Sequence, residues 1–463
     1  MAAITYTSNT GFKLFGNETG AWMVDDTAET LVGSELVTNG GFATDTDWTK
    51  GTGWSIGSGV ASCDGTQTAS TELYQSASFT VGASYIITVD ITVTAGSCYG
   101  RVSGASGHTI TASESYVATI IATSASSTIK IVGDADFIGS VDNLTVRLAV
   151  PDVTANNNGL QVFGSITKAA VATGAESQEY SGFASANYLF QPAGPTYTGD
   201  FFFAGWTDAI DGDDEILTLG STAAAGATDT CHIWANLGAL KTNIGGVLHV
   251  SPAVLPASGR YFFAVWRSGS TLYTSINGVT VKETAGNTNT IDGSTNGLTI
   301  GKGYYAGFMP NAALFRTGAF ALTAAQVKSI YESEKWLFKP YAKLLQVGSN
   351  YGLDIRYKKL DRSFKAINNK SISLNGTVET INIRNDISWD INTIPLLRTN
   401  GDLDNYKLMV ESGLNGHVMS FDPYGSVASP DDPKDVYLDI DSYTQNREGP
   451  SEYYNLNFKL REK

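Results

Sequence analysis

Between Tyr85 and Val93 the chain alternates strictly. Tyr85, Ile87, Val89, Ile91 and Val93 fall on one face, and Thr88, Asp90 and Thr92 on the other. A period of two is the mark of a half-buried strand. Leu144, Val146 and Leu148 repeat it, turn signals separate the other short segments, and residues 34–150 show no helical period. They are predicted to be wholly β. Residues 201–206 (FFFAGW) and 261–266 (YFFAVW) are continuous apolar runs, the pattern of strands buried on both faces. Ser268-Gly269 and Asn277-Gly278 bracket Leu272, Tyr273, Thr274, Ser275 and Ile276. Asn-Gly favours a type I′ hairpin because both residues accept positive φ.

One helix closes this second β region. Thr323-Ala-Ala-Gln326 reads as a capping box, Val327, Ile330 and Tyr331 follow at helical spacing, and Pro340 bars continuation. Beyond it the pattern mixes. Ile372 and Leu374 lead into Asn375-Gly376, and Val378, Ile381 and Ile383 lead out, predicting another hairpin. Ile387, Trp389 and Ile391 predict a strand. Leu403, Tyr406, Met409 and Val410 predict a short amphipathic helix with Asp402 at its start and Gly413 at its end. Val436-Leu438-Ile440 and Tyr454-Leu456-Phe458-Leu460 predict two docked final strands. Residues 1–33 hold one short apolar stretch, from Phe12 to Trp22, and predict an arm or a strand added to a neighbouring domain.

The expected fold class is therefore mainly β: two antiparallel β-sandwiches of jelly-roll type followed by a smaller α+β domain. The expected boundaries are 1–33 (arm), 34–150, 151–340 and 341–463. Charge sharpens the last boundary. Residues 1–340 hold 15 Lys and Arg and 28 Asp and Glu, about 13% charged, against 15 and 17, about 26%, in residues 341–463. An ordinary soluble chain carries about 25%. The first part stays soluble through hydroxyls and amides. A net charge of −15 argues against nucleic acid, which needs clustered cations, and against an anionic membrane surface. No apolar run reaches the ~20 residues of a membrane-spanning helix, and the first residues lack the pattern of a secretory signal. Three cysteines, Cys63, Cys98 and Cys231, do not make a disulfide framework. Either Cys63 and Cys98 pair across one sandwich, or all are buried thiols.

Several motifs carry a resemblance. Residues 35–42 (ELVTNGGF), followed by Asp47-Trp48 and Gly53-Trp54 and closed by residues 141–146 (VDNLTV), are similar to the first and last strands of jelly-roll carbohydrate-binding modules. The run through Asn277-Gly278, then residues 298–302 (LTIGK) and 321–331 (ALTAAQVKSIY), resembles laminin-G/concanavalin-like sandwiches. Its continuation through Trp336-Leu337-Phe338, with residues 172–176 (ATGAE) and 180–189 (YSGFASANYL), resembles such domains in bacteriophage tail and fibre proteins. Residues 341–463 loosely resemble docking domains of phage tail proteins.

Catalytic signatures are missing. His108, His232, His249 and His417 sit in no nucleophile-elbow or His-Glu-x-x-His setting. The Glu-x-Asp-x-x-Glu strand of concanavalin-like glycosidases is absent, as is a phosphate-cradling Gly-rich loop. No enzyme is expected. Two kinds of binding remain. Asp208, Asp211, Asp213 and Asp214 form the densest acidic run, and a hard cation such as Ca²⁺ takes several oxygens from one turning loop. The competing reading is a solvated turn. Trp48, Trp54 and Tyr74 in the first sandwich, and Trp234, Tyr304 and Tyr305 in the second, are candidate platforms for the apolar faces of sugars. The competing reading is core packing.

The resemblance then implies a non-enzymatic virion protein of tail-fibre or adhesin type on the virion surface. Its partners would be host surface glycans, other virion proteins and copies of itself, as a trimer, with no nucleic acid and no membrane insertion. The alternatives are a capsid decoration, head fibre or tail-assembly protein without sugar binding, and a glycan-degrading tailspike.

Overall fold

Alternating and continuous apolar strands need partners on one face or on both, and the pairing they find sets the architecture. The structure is a computed structural model. It describes residues 14–22, 29–124, 127–171, 177–209, 212–220, 230–303, 307–335, 337–338, 342–347, 350–355, 357–372, 378–393, 396–397, 402–423, 434–447 and 453–463. These fall into two compact units. One comprises residues 14–169 and 178–331; the other comprises the described residues of 170–177 and those from 332 onward.

The first unit opens with β1 (Glu18–Trp22) and β2 (Glu29–Gly33). Then follow β3 (Thr49–Lys50), β4 (Trp54–Gly57), β5 (Val60–Asp64), β6 (Thr71–Ser76), β7 (Ser84–Ala95), β8 (Cys98–Val102), β9 (Ala105–Ser106), β10 (Glu114–Ile121), β11 (Thr128–Gly133) and β12 (Ile138–Val150). Strands β4-β5-β12-β7-β10 form one antiparallel sheet, and β3-β6-β11-β8-β9 the facing one. The expected alternation in β7 holds. Tyr85, Ile87, Val89 and Ile91 enter the core with Leu73, Ile129, Ile131 and Val146, while Asp90 and Thr92 face solvent.

After β12 come β13 (Leu160–Ala170), β14 (Gln178–Ser181) and β15 (Tyr188–Gln191). The second sandwich has one sheet in the order β13, β15, Leu298–Ile300, Asp214–Leu219, Cys231–Asn236, Ala239–Ile244, Val247–Val254. Its other sheet runs β1, Asn311–Gly318, Phe201–Asp208, Arg260–Ser268, Thr271–Ile276, Val279–Ala285. The two apolar runs read from the sequence are neighbours here, Phe202 opposite Trp266 and Trp206 opposite Phe262. Asn277 (φ 51°) and Gly278 (φ 78°) make the expected tight turn between Ile276 and Val279. Helix α1 (Ala324–Glu334) starts with the expected box: Gln326 N donates to Thr323 Oγ1 (3.2 Å), and Thr323 N donates to Gln326 Oε1 (2.8 Å). Tyr331 stacks on Trp206 at 5.8 Å.

Of residues 1–33, expected as an arm or a strand added to a neighbouring domain, the described strands β1 and β2 are added to the second sandwich. β1 pairs with Asn311–Gly318 and β2 with β13. Residues 34–150 are thus an insertion between β2 and β13. The first sandwich is also joined to the second through its own sheet: β12 pairs with β5 and β7, then continues so that Ala149 and Val150 pair with Gln161 and Leu160 of β13. Arg147, over the Phe163 ring at 4.3 Å, donates to the Gly33 carbonyl (2.7 Å).

Asp152, buried, folds the crossing. Oδ1 accepts from Ala21 N (2.9 Å) and Thr154 N (2.9 Å), and Oδ2 from Thr154 Oγ1 (2.7 Å) and Asn158 N (2.9 Å). Trp22 Nε1 donates to the Asn158 carbonyl (2.9 Å). One carboxylate therefore ties β1 to the segment between β12 and β13.

The second unit is α+β, as the sequence pattern suggests. Its sheet has the order Asn350–Ile355, Ala342–Val347, Met419–Asp422, Lys434–Arg447, Tyr453–Glu462, Val378–Thr393, Tyr357–Ile372. Helix α2 (Asp402–Leu414) brings Leu403, Tyr406 and Met409 to a core with Trp389, Phe421 and Phe458. Ile372 pairs with Val378 across the expected hairpin, whose Asn375-Gly376 turn lies outside the described residues. No helix among the described residues is long and apolar enough to cross a membrane.

Replacing Asp152 by Ala leaves buried N–H donors without an acceptor. We expect a loss of about 3 kcal/mol, read as a lower urea midpoint for the first unit. An unchanged midpoint would show that the carboxylate does not hold the crossing.

Candidate functional site

Three of the four aromatic candidates among the described residues are core residues. Trp48 is 8% exposed and packs on Phe42 at 5.3 Å, with Nε1 donating to the Asn39 carbonyl (3.1 Å). Trp54 is 6% exposed and packs on Phe137 at 5.8 Å. Trp234 is 3% exposed. None of the three presents a ring face on which a sugar could stack. The Gly-, Asp- and Thr-rich sequence around Trp48 and Trp54 lies on turns that fold over the rings, and large rings gain most from burial. Tyr304 and Tyr305 lie outside the described residues.

Tyr74 is different. It is half-buried on the outer face of the five-stranded sheet. The pairing puts Thr49, Tyr74, Lys130, Arg101 and Ser106 on one rung. Two residues along each strand, Glu72, Val132 and Tyr99 form the next rung of the same face. Lys130 Nζ lies 5.3 Å from the centre of the Tyr74 ring and 2.6 Å from Glu72 Oε2. Beside Tyr74 the face opens into a groove of about 510 Å³, walled by Thr49, Thr52, Gln67, Ser70, Thr71 and Glu72. Gln67 is fixed from below: Nε2 donates to the Phe137 carbonyl (2.7 Å) and Oε1 accepts from Cys63 Sγ (3.4 Å). An aromatic ring, a cation, a carboxylate and several hydroxyls on one rigid sheet can offer both an apolar contact and directed hydrogen bonds. Tyr99, Lys130 and Glu72 were missed in the sequence. Their only signal is the period of two in β6, β8 and β11, and it becomes a site once the register aligns the strands.

The acidic run is dispersed. Asp208 Oδ1 accepts from Arg260 Nε (2.9 Å), and Oδ2 from Arg260 Nη2 (3.2 Å) and Asn311 Nδ2 (2.6 Å). Burial opposes its ionisation, but Arg260 and Asn311 outweigh that and hold its pKa below the usual value. Asp213 accepts from Asn236. Asp214 begins a strand, and Asp211 lies outside the described residues. Among the described residues no three His, Cys, Asp or Glu side chains gather as a metal site.

The histidines form no relay suited to catalysis. His232 and Glu215 are both fully buried, with Nδ1 3.2 Å from Oε1. Thr218 Oγ1 donates to that same Oε1 (3.0 Å), so hydroxyl and carboxylate meet one side of the ring, and no base stands between nucleophile and orienting acid. Burial pushes the pKa of His249 down, and Asn287 Nδ2 lies 3.0 Å from its Nε2. His108 is exposed beside Glu114 (3.2 Å).

The three cysteines are free and buried. Burial raises all their pKa values; Cys98, with Asp134 adding a nearby charge, is pushed up to about 12.

No known protein family matches the sequence, and no curated protein does. Among solved structures, the binding domain of Paraclostridial Mosquitocidal Protein 1 aligns over 67% of this chain and 72% of its own, at 12% identity and a TM-score of 0.34. Domain 4 of a Geobacillus stearothermophilus extracellular arabinanase, in complex with arabinotriose, aligns over 39% of this chain and 92% of its own, at 15% identity and a TM-score of 0.31. The Ruminococcus gnavus IT-sialidase CBM40, bound to α2,6 sialyllactose, aligns over 30% and 85%, at 10% identity and a TM-score of 0.25. The likeness is loose in every case.

At pH 8 a thiol with a pKa near 12 is about one ten-thousandth thiolate. An aromatic disulfide reagent should therefore find no fast-reacting thiol in the folded protein and three after denaturation. A fast native thiol would contradict the burial of the cysteines.

Proposed function

We propose that this protein is a non-enzymatic glycan-binding protein, and that the outer face of the sheet β3-β6-β11-β8-β9, centred on Tyr74, is where it meets the glycan. The observation that carries this reading is the half-buried Tyr74 ring set among Thr49, Lys130, Glu72 and Tyr99 and opening onto a hydroxyl-lined groove. A pyranose has an apolar C–H face for the ring and hydroxyls that both donate and accept. Lys130 supplies donors, Glu72 acceptors and the Thr49 and Thr52 hydroxyls either, while Ser70, whose O–H goes to the Gly133 carbonyl, can accept.

The wider setting we propose is the surface of a bacteriophage particle, in a tail fibre or adhesin, with residues 341–463 docking to other virion proteins. It rests on the sequence resemblance and on the shift in charge at residue 340. Single contacts would be weak, and many copies would make them sufficient when geometry lets them engage together. Burial of Trp48, Trp54 and Trp234 favours a second reading, a particle component that binds no sugar.

On a glycan array the full chain should bind a defined set of glycans, and Tyr74→Ala should weaken that binding about tenfold or more with an unchanged melting temperature. An array with no signal for the full chain would favour the second reading. In a phage carrying the protein, deletion of residues 341–463 should give particles that lack it; normal incorporation would remove the docking role.

A further inference from the structure

Where the first sandwich meets the second, inside the first unit, lies a cavity of about 330 Å³. Its walls come from β7, β9 and β10 on one side, and from residues 156–159 and 191–193 on the other. Among them are His108, Thr119, Asn156, Asn157, Asn158 and Gln191, and no Asp, Glu, Lys or Arg.

The hydrogen bonds of these walls are one-sided. Asn156 Nδ2 donates to the Glu18 carbonyl (2.8 Å), Asn157 Nδ2 to the Thr119 carbonyl (3.1 Å), and Asn158 Nδ2 to the Thr19 carbonyl (2.9 Å). Gln191 Nε2 donates to the Ala193 carbonyl (3.0 Å). Each of the four amides thus spends one N–H on the main chain and keeps its second N–H and its oxygen, a donor beside an acceptor. Gln191 is the telling case. It is 4% exposed, and its Oε1 is buried with no hydrogen-bond partner. A buried acceptor without a donor is costly, and such groups in folded proteins ordinarily have a partner. Asp152 fixes the backbone that carries the three asparagines, so the acceptors are held in place before anything binds.

We infer that this cavity is a second binding site, for a neutral ligand rich in hydroxyls, which both donate and accept as the wall amides do: a single saccharide residue. A carboxylated or phosphorylated ligand would meet no Lys or Arg in the walls, and the one imidazole there, His108, already faces Glu114 (3.2 Å). The volume is at the lower end of small-ligand sites. The inference stands apart from the Tyr74 face, since the two sites share no lining residue.

Saturation-transfer NMR of the full chain carrying Tyr74→Ala, which takes the other proposed sugar face out of play, tests it with free glucose, galactose, mannose and N-acetylglucosamine. At least one should give a signal. Added to that chain, Gln191→Leu removes the buried acceptor, and Ala193→Trp, at an exposed position, places an indole at the cavity without touching the core. Each should weaken binding about tenfold or more. If Gln191→Leu does not fold, Ala193→Trp alone decides. No signal with any of the four sugars would overturn the inference. So would a signal that persists when Ala193→Trp is added.

Discussion

Strand β12 belongs to two sandwiches at once, and much else in the first unit follows from that. From Ile138 to Ala149 it pairs with β5 and β7; at Ala149 and Val150 it pairs with β13. A sheet that runs without a break from one core into the next cannot let the two turn freely, because rotation would break ladder hydrogen bonds in an otherwise buried strand. The junction cavity keeps its walls for this reason. The chain that crosses it needs its own support, and Asp152, with four donors on one carboxylate, provides it.

Local order was legible in the chain and long-range order was not. Tyr85 to Val93, the runs at 201–206 and 261–266, Asn277-Gly278, the Thr323/Gln326 box and helix α2 all follow from neighbours within a few residues, where propensity and periodicity act. The insertion of residues 34–150 depends on Glu18 pairing with Gly318, and nothing in either segment announces a partner so far along the chain. β1 is short and broken by Gly20, so its apolar pattern alone leaves open an arm or a strand added to a neighbouring domain.

The same division explains the aromatic residues. Polar neighbours made Trp48 and Trp54 look exposed, yet those neighbours sit on turns and the indoles point inward to Phe42 and Phe137. Tyr74 lies in a strand, where the period of two decides its side, and there the reading of an outward ring survives. In the acidic run, Asp208 ends a strand beside Arg260, which bonds both its oxygens. Whether a Gln oxygen finds a partner, as at Gln191, depends on atoms from distant segments and leaves no mark in the sequence.

The insertion also decides how the molecule bears a load. A domain strung on the end of a chain hangs by one covalent link. The first sandwich hangs by two, one leaving β2 and one leaving β12, and Arg147 clamps the two side by side through the Gly33 carbonyl. A pull on the Tyr74 face is divided between both links and reaches the ladders of β2 and β12 with β13 together. A load on the first sandwich would then strain the two attachments at once.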